Sequence, residues 1–404
     1  MTMPRRRRLL TIAHSYCVTL NRRLPQELAR ASGWDVTAVG PARFRGDFGW
    51  NVLEPAPDEL CRVVPVPVYL SARIHVMRYG RELSALLAEP WDLVHCWEEP
   101  YIAAAHQVAR RVSADVPLVF ATFQNIAKRY PPPFNWIERY SMNRADGIIA
   151  FGRTIAEQIA SKDRGWVSER RAEDLGGLYE GVGAKPRQLP IAVIPPGVDL
   201  DEFRPDEARR SATLARLRWS AGPPVVGFVG RFVPEKGLQL LTSVLDRIDT
   251  PWRALLIGTG PLEDTVTAWG RRHGERVRII TTARHDEVPA YLNAMDVLCA
   301  PSQTTTRWRE QFGRILIEAF ASGVAVIAST SGEIPYVVAD AGLLVPEGDR
   351  AQWQQTIEML TMERVRRCEL ARRGRARAES VYGWPVVARQ HLEFFERVIA
   401  GRAS

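Results

Sequence analysis

The chain has 404 residues, 46% of them hydrophobic and 25% charged. That composition excludes a disordered or fibrous chain, and the length calls for two hydrophobic cores rather than one. The formal net charge of +8 suits either a solvated Arg-rich surface or an anionic partner, a phosphorylated ligand or an acidic membrane surface; nucleic acid is set aside because no recognition module accompanies the charge.

The chain opens with Arg5 to Arg8 before Leu9-Leu10-Thr11-Ile12-Ala13. His14 ends this apolar run below the length of a signal-peptide core, so the run reads as a first buried β-strand. Further strands are expected at 35–39, 61–66, 92–96, 117–123 and 147–151, with amphipathic stretches at Leu24–Ala31, Ile74–Ala88 and Ile102–Val112 between them. The rhythm is that of a parallel sheet covered by helices on both faces. The pattern stops between about 161 and 190, a charged, glycine-rich segment expected to form a surface loop with a partial helix.

After the strand Ile191–Ile194 and the turn at Pro195-Pro196-Gly197, a second alternation starts, with strands near 225–229, 254–257, 277–281, 297–300, 324–328 and 343–345. A hinge is expected near 197–220. Residues 351–400 read as helical, broken at Gly383-Trp384-Pro385, where proline ends a helix. The organisation expected is an α/β fold of two doubly wound, Rossmann-like domains facing across a cleft. The first spans 1–196 and the second 197–380, while 381–404 forms a helix returning to the first. Five cysteines lie far apart with no C-x-x-C pair, and no stretch reaches the roughly 18 apolar residues of a membrane span. Both features suit a cytoplasmic protein with reduced thiols.

Two segments carry chemistry. In Val225–Gly237 a buried strand enters a turn at Gly230, followed by Arg231, Lys236 and the helix beginning at Leu238. Glycine admits close backbone approach, a helix start attracts anions, and Arg231 and Lys236 add fixed positive charge, an arrangement suited to a diphosphate. Taken alone, the segment would equally fit a tight turn with two solvated cations. In 310–323, Gly313 opens an amphipathic helix after the strand 297–300 and the loop 301–309. Amides at Phe312, Gly313, Arg314, Ile315 and Leu316 would face an anion there. Glu310 in the loop and Glu318 on the second turn could accept hydrogen bonds from sugar hydroxyls.

The E-x7-E spacing of Glu310 and Glu318 resembles the signature of retaining glycosyltransferase family 4, which has the GT-B fold of two Rossmann-like domains. The flanking text is similar too: GRFVPEKG at 230–237, GTGP at 258–261, EAFASG at 318–323, VIASTSGEIPYVV at 326–338 and the connection PPGVDLDEFRP at 195–205. The resemblance implies a hexosyltransferase that takes a nucleotide-sugar as co-substrate, with no further cofactor and no metal, and transfers to a glycan, glycolipid or lipid-linked acceptor with retention of configuration. It implies that Arg231 and Lys236 hold the donor diphosphate, Glu310 the sugar hydroxyls and Glu318 the ribose. Gly230 and the amides from Phe312 to Leu316 would line the donor site. The rivals are a nucleotide-sugar isomerase or epimerase on the same double fold and a catalytically silent partner subunit.

The chain departs from the family pattern twice. Many members carry a Gly-Gly loop after the first strand, where this chain has Ser15-Tyr16-Cys17. Many also place a histidine after the fifth strand, where Gln124 stands. His95, ending the strand at 92–96, is a second candidate on the acceptor side, although a histidine at a strand end is more often structural. Asp199-Leu200-Asp201 matches the D-x-D of metal-dependent transferases but sits in the hinge, where turn carboxylates are expected. The loops 97–101 and 128–136 follow strands of the first domain and should line the acceptor side, unless their aromatics pack inward. Arg5 to Arg8 and the loop 128–136 would favour the inner face of a membrane as a docking surface.

Overall fold

A computed structural model of the chain describes residues 5–46, 49–126, 128, 130–161, 178–181 and 189–403. Most of the segment read as a charged loop, 162–177 and 182–188, lies outside the described residues, as does Arg129. The chain divides into two compact units, Met1–Pro195 with Trp384–Ser404, and Pro196–Gly383.

The first unit is built on β1 (Arg8–Ile12), β2 (Asp35–Pro41), β3 (Arg62–Val66), β4 (Leu93–Cys96), β5 (Leu118–Thr122), β6 (Gly147–Ala150), β7 (Leu178–Gly181) and β8 (Leu189–Val193). The sheet order is β7-β8-β6-β5-β4-β1-β2-β3. All pairs are parallel except β7 with β8. Strands β4, β5 and β6 are buried at every position, the expectation for a sheet covered on both faces. The terminal helix Trp384–Ala403 belongs to this unit and buries Val387, Phe394 and Phe395 in its core.

The sequence reading needs three corrections here, the first being that Leu178–Gly181, within the segment read as a loop with a partial helix, is a strand. Ile74–Ala88 is not one helix: a single turn at Ile74–Val76 is followed by the short strand Arg78–Tyr79 and the helix Arg81–Leu87. The Gln107 amide satisfies both backbone groups of Tyr79, accepting from its N–H at 2.9 Å and donating to its carbonyl at 2.8 Å. That holds Tyr79 extended, and Gly80 then restarts the chain as a helix. Phe134-Asn135-Trp136, read as loop, opens the helix Phe134–Arg144 directly after three prolines, which suit a helix entry because they lack an N–H that would go unpaired there.

The second unit holds β9 (Val225–Val229), β10 (Arg253–Ile257), β11 (Val277–Ile280), β12 (Val297–Ala300), β13 (Ala325–Ser329) and β14 (Leu343–Val345). They are all parallel, in the order β11-β10-β9-β12-β13-β14. This is the doubly wound order in which the chain reverses direction across the sheet between its first and fourth strands. The stretch read as a hinge carries the helix Glu207–Arg216, whose first turn is capped by Asp206 accepting from the Arg209 N–H at 2.9 Å. The helical tail breaks at Glu363 as well as at Gly383.

Candidate active-site residues

Loops that follow β9 and β12 leave the sheet of the second unit side by side, at the point where strand order reverses and ligands of such sheets bind. The first loop carries Arg231, then the turn Pro234–Lys236, then Gly237 with φ of 70°. A Cβ on Gly237 would lie 1.8 Å from the Pro301 carbonyl oxygen, so only glycine lets the two loops touch. Gln303 N–H closes the contact by donating to the Glu235 carbonyl at 2.7 Å.

That contact delivers Lys236 to Glu310. The Lys236 Nζ donates to Glu310 Oε2 at 2.5 Å, and Ser302 Oγ donates to the same oxygen at 3.0 Å. Glu310 is buried, and its backbone is fixed on the far side, where its carbonyl accepts from the Glu333 N–H at 3.1 Å. The Lys236 ammonium also lies 5.1 Å from the centre of the Trp308 ring. Arg231 is exposed and makes no side-chain hydrogen bond or ion pair among the described residues.

The helix Arg314–Ala321 starts at Gly313, whose φ of 82° and ψ of 60° are left-handed. Leu316 N–H donates to the Gly313 carbonyl, while the amides of Gly313 and Ile315 meet no partner among the described residues. Unpaired amides at the positive end of a helix dipole attract an anion. Phe312 and Leu316 are buried and anchor this start from below. Glu318 is buried too, and burial pushes its carboxyl up, partly offset by the charges of His285 and Arg314. Its side chain makes no hydrogen bond among the described residues.

The first unit repeats the reversal: β1 and β4 are neighbours, with β2 and β3 on one side and β5, β6 and β8 on the other. Just beyond β1 stands His14, and just beyond β4 stands Glu98. Glu98 accepts from the His14 N–H at 2.5 Å, from His14 Nδ1 at 2.6 Å and from the Tyr79 hydroxyl at 2.7 Å. Neighbouring Glu99 accepts from Thr122 Oγ1 at 2.6 Å and from the Phe123 N–H at 2.8 Å. Gln124, half-buried, donates to the Tyr130 hydroxyl, and Tyr130 stacks on Tyr101 with ring centres 4.1 Å apart.

Two family models match this chain, glycosyl transferases group 1 over residues 223–363 and a glycosyl transferase 4-like domain over residues 19–172. A D-inositol 3-phosphate glycosyltransferase of Kineococcus radiotolerans is 30% identical over 320 residues, covering 72% of this chain and 68% of that protein. The chain belongs to glycosyltransferase family 4. A GDP-mannose-dependent phosphatidylinositol monomannoside mannosyltransferase of Mycobacterium tuberculosis is 31% identical over 222 residues, 52% of this chain and 57% of that protein. Sucrose-phosphate synthase from Thermosynechococcus elongatus shares the fold, with a TM-score of 0.71 at 21% identity over 98% of this chain and all of that one. The two Rossmann-like domains are those of the GT-B fold.

For this glycosyltransferase the structure brings Lys236, Glu310 and the loop of Arg231 together, and sets Gly313 at a helix start beside them. His95 is not a surface residue: it is fully buried, with Nδ1 3.0 Å from Thr11 Oγ1 and its ring packed on His391 and Phe395. Its strand is central, so its side chain faces a covered side of the sheet and burial holds its pKa well below the usual histidine value. Of the aromatic loops, Trp97 packs inward against Phe123 and Phe151, whereas Trp136 is 65% exposed. Asp199 caps a turn, its Oδ1 accepting from the Asp201 and Glu202 amides. The His14–Glu98 pair escaped the sequence reading. Its only trace there was His14 ending the first apolar run; that β4 would place Glu98 beside it is a matter of sheet order.

Proposed function

We propose that this glycosyltransferase moves a hexose from a nucleoside-diphosphate donor, bound by the second unit, to a glycan or lipid-linked acceptor bound by the first, with retention of configuration and without a metal. The observation carrying the donor assignment is the Lys236–Glu310 pair, 2.5 Å apart at the reversal point of the second sheet. An ammonium and a carboxylate there match the two ends of a sugar diphosphate: Lys236 and Arg231 meet the phosphate charge, and Glu310 accepts from sugar hydroxyls. The helix start at Gly313 adds amide donors, and Glu318 on the same helix is suited to ribose hydroxyls.

Charge on the leaving diphosphate would be met by these cations and amides, the role a metal plays elsewhere. The departing phosphate oxygen takes the acceptor's proton as the new glycosidic bond forms on the face being vacated, so retention needs no side-chain base. The relatives act on inositol phosphate and on phosphatidylinositol mannoside by name, and an inositol phosphate headgroup is the acceptor chemistry favoured here.

Docking at the cytoplasmic face of a membrane belongs to this reading, but from a different surface than the N-terminal arginines. Arg7 pairs with Glu396 and Arg8 with Glu89. The hairpin formed by Arg43–Gly46 and Gly49–Val52 instead exposes Trp50 and Val52 beside Arg43. No helix among the described residues is long and apolar enough to cross a membrane. Thermal shifts with UDP, GDP and ADP test the donor assignment; at 100 times its Kd a bound nucleotide adds about 2.7 kcal/mol, and no shift with any of them would remove it.

A further inference from the structure

We propose that Glu98 and Tyr79 position His14 so that its Nε2 accepts the hydrogen bond of the acceptor's attacking hydroxyl. The proposal rests on the reading of the first unit as the acceptor side. It starts from the three donors converging on one buried carboxylate. A carboxylate only accepts, so the His14 nitrogen facing it at 2.6 Å, Nδ1, must carry a proton. In neutral imidazole the other nitrogen then has a lone pair. Nε2 makes no hydrogen bond among the described residues, and the side chain is 32% exposed. A neutral ring held in this way offers Nε2 as an acceptor.

The place fits the task. His14 follows β1 and Glu98 follows β4, the two strands between which order reverses in this sheet, where ligands bind. Glu98 itself is covered, with its side chain fully buried, so it acts through His14 and does not reach a ligand. The Tyr79 hydroxyl and the His14 amide both donate to Glu98 Oε1, which holds the carboxylate in place. Phe44 packs on the ring at 5.5 Å between centres. The attacking hydroxyl's proton still leaves with the departing phosphate oxygen, so His14 keeps its charge through the step. Its contribution is to aim the oxygen.

The pair predicts a pH signature. Protonated His14 cannot accept a hydrogen bond, so transfer should fall on the acid side of its titration. The groups facing the ring are Glu98, Glu99, the Tyr79 hydroxyl and Phe44. Burial lowers the pKa, but Glu98, with a smaller part from Glu99, carries it above the ordinary histidine value, so the limb should lie at higher pH than that of an ordinary histidine.

The experiment compares wild type with His14→Ala and the isosteric Glu98→Gln, using UDP-glucose and GDP-mannose as donors. Free 1D-myo-inositol 3-phosphate and phosphatidylinositol vesicles serve as acceptor probes. An amide at position 98 can donate to Nδ1, which would move the proton to Nε2 and abolish its acceptor role. Both variants should bind nucleotide as wild type does and lose roughly tenfold or more in kcat/KM for the acceptor, the cost of one hydrogen bond made at the reacting oxygen. The acid limb of the wild-type profile should be absent from His14→Ala. Unchanged acceptor kinetics in either variant, or an acid limb surviving in His14→Ala, overturns the proposal. Nucleotide binding without transfer to either probe removes the acceptor reading and the proposal together, while a wild type that binds no nucleotide fails at the donor site instead.

Discussion

Lys236 Nζ and Glu310 Oε2 are 2.5 Å apart although 74 residues separate them, and the contact exists because the Gly237 backbone rests against Pro301. Without ligand the two charges neutralise each other; a sugar diphosphate would offer each a new partner. Replacing Lys236 with Ala should cost about 2–4 kcal/mol of transition-state stabilisation. Arg231→Ala should act in the same direction and leave the fold intact, since the Arg231 side chain is exposed and unpaired among the described residues. Steady-state kinetics with melting curves would check both, and near wild-type turnover in the soluble double variant removes the assignment.

Gly237→Ala tests the geometry rather than the charge. Its φ is 70°, and a Cβ would meet the Pro301 carbonyl at 1.8 Å. Backbone strain alone costs about 1–3 kcal/mol, and the loop must also move away from Glu310. A lowered Tm together with weakened nucleotide binding is expected. A variant with unchanged Kd for nucleotide would show that the loop contact does not set the donor site.

How much of this was legible in the sequence depends on whether the signal was local. The parallel strands of both units and the break at Gly383 were readable, because apolar runs and prolines act over a few residues, whereas the antiparallel strand Leu178–Gly181 lies in the segment read as a loop. Lys236 and Glu310 were singled out by type and by resemblance, but their contact depends on the strand order that puts β9 beside β12. His95 was left between a structural and an acceptor-side role for the converse reason. A strand end seen in one dimension does not show that helix Trp384–Ala403 covers that face with His391 and Phe395. Glu98 was passed over inside an aromatic loop, since nothing local distinguishes a buried acceptor of three hydrogen bonds from a solvated carboxylate.

The buried pair of histidines gives a stability prediction. His391 is fully buried, its Nδ1 2.8 Å from the Val387 carbonyl, and burial holds its pKa down to about 4. His95 is shifted the same way, by burial and by His391. Folded, these rings stay neutral; unfolded, they bind protons below about 6.5. The stability is therefore present above pH 6.5 and is lost as pH falls toward 4. His391→Phe should flatten that part of the Tm-against-pH curve, relieving on the order of 3 kcal/mol at its acid end. Parallel wild-type and variant curves between pH 7 and 4.5 would contradict it.

Membrane docking by the hairpin at 43–52 predicts salt-sensitive binding to anionic vesicles. Each cation near such a surface is worth about 1 kcal/mol, and Trp50 adds an interfacial anchor. Sedimentation at low and high salt, with Trp50→Ser and Arg43→Ser as a double variant, is the check. Binding that ignores both salt and the double variant would place the docking surface elsewhere.

The central claim is retaining transfer without a metal, and proton NMR of the sugar product tests it most directly. UDP-glucose and GDP-mannose would be followed, with inositol 3-phosphate or water as acceptor, in the presence and absence of EDTA and before the released sugar mutarotates. The expected first product has the α configuration of the donor, at a rate that EDTA leaves unchanged. A β product appearing first would contradict retention, and α product that vanishes with EDTA would contradict the assignment of leaving-group charge to Arg231, Lys236 and the helix start at Gly313.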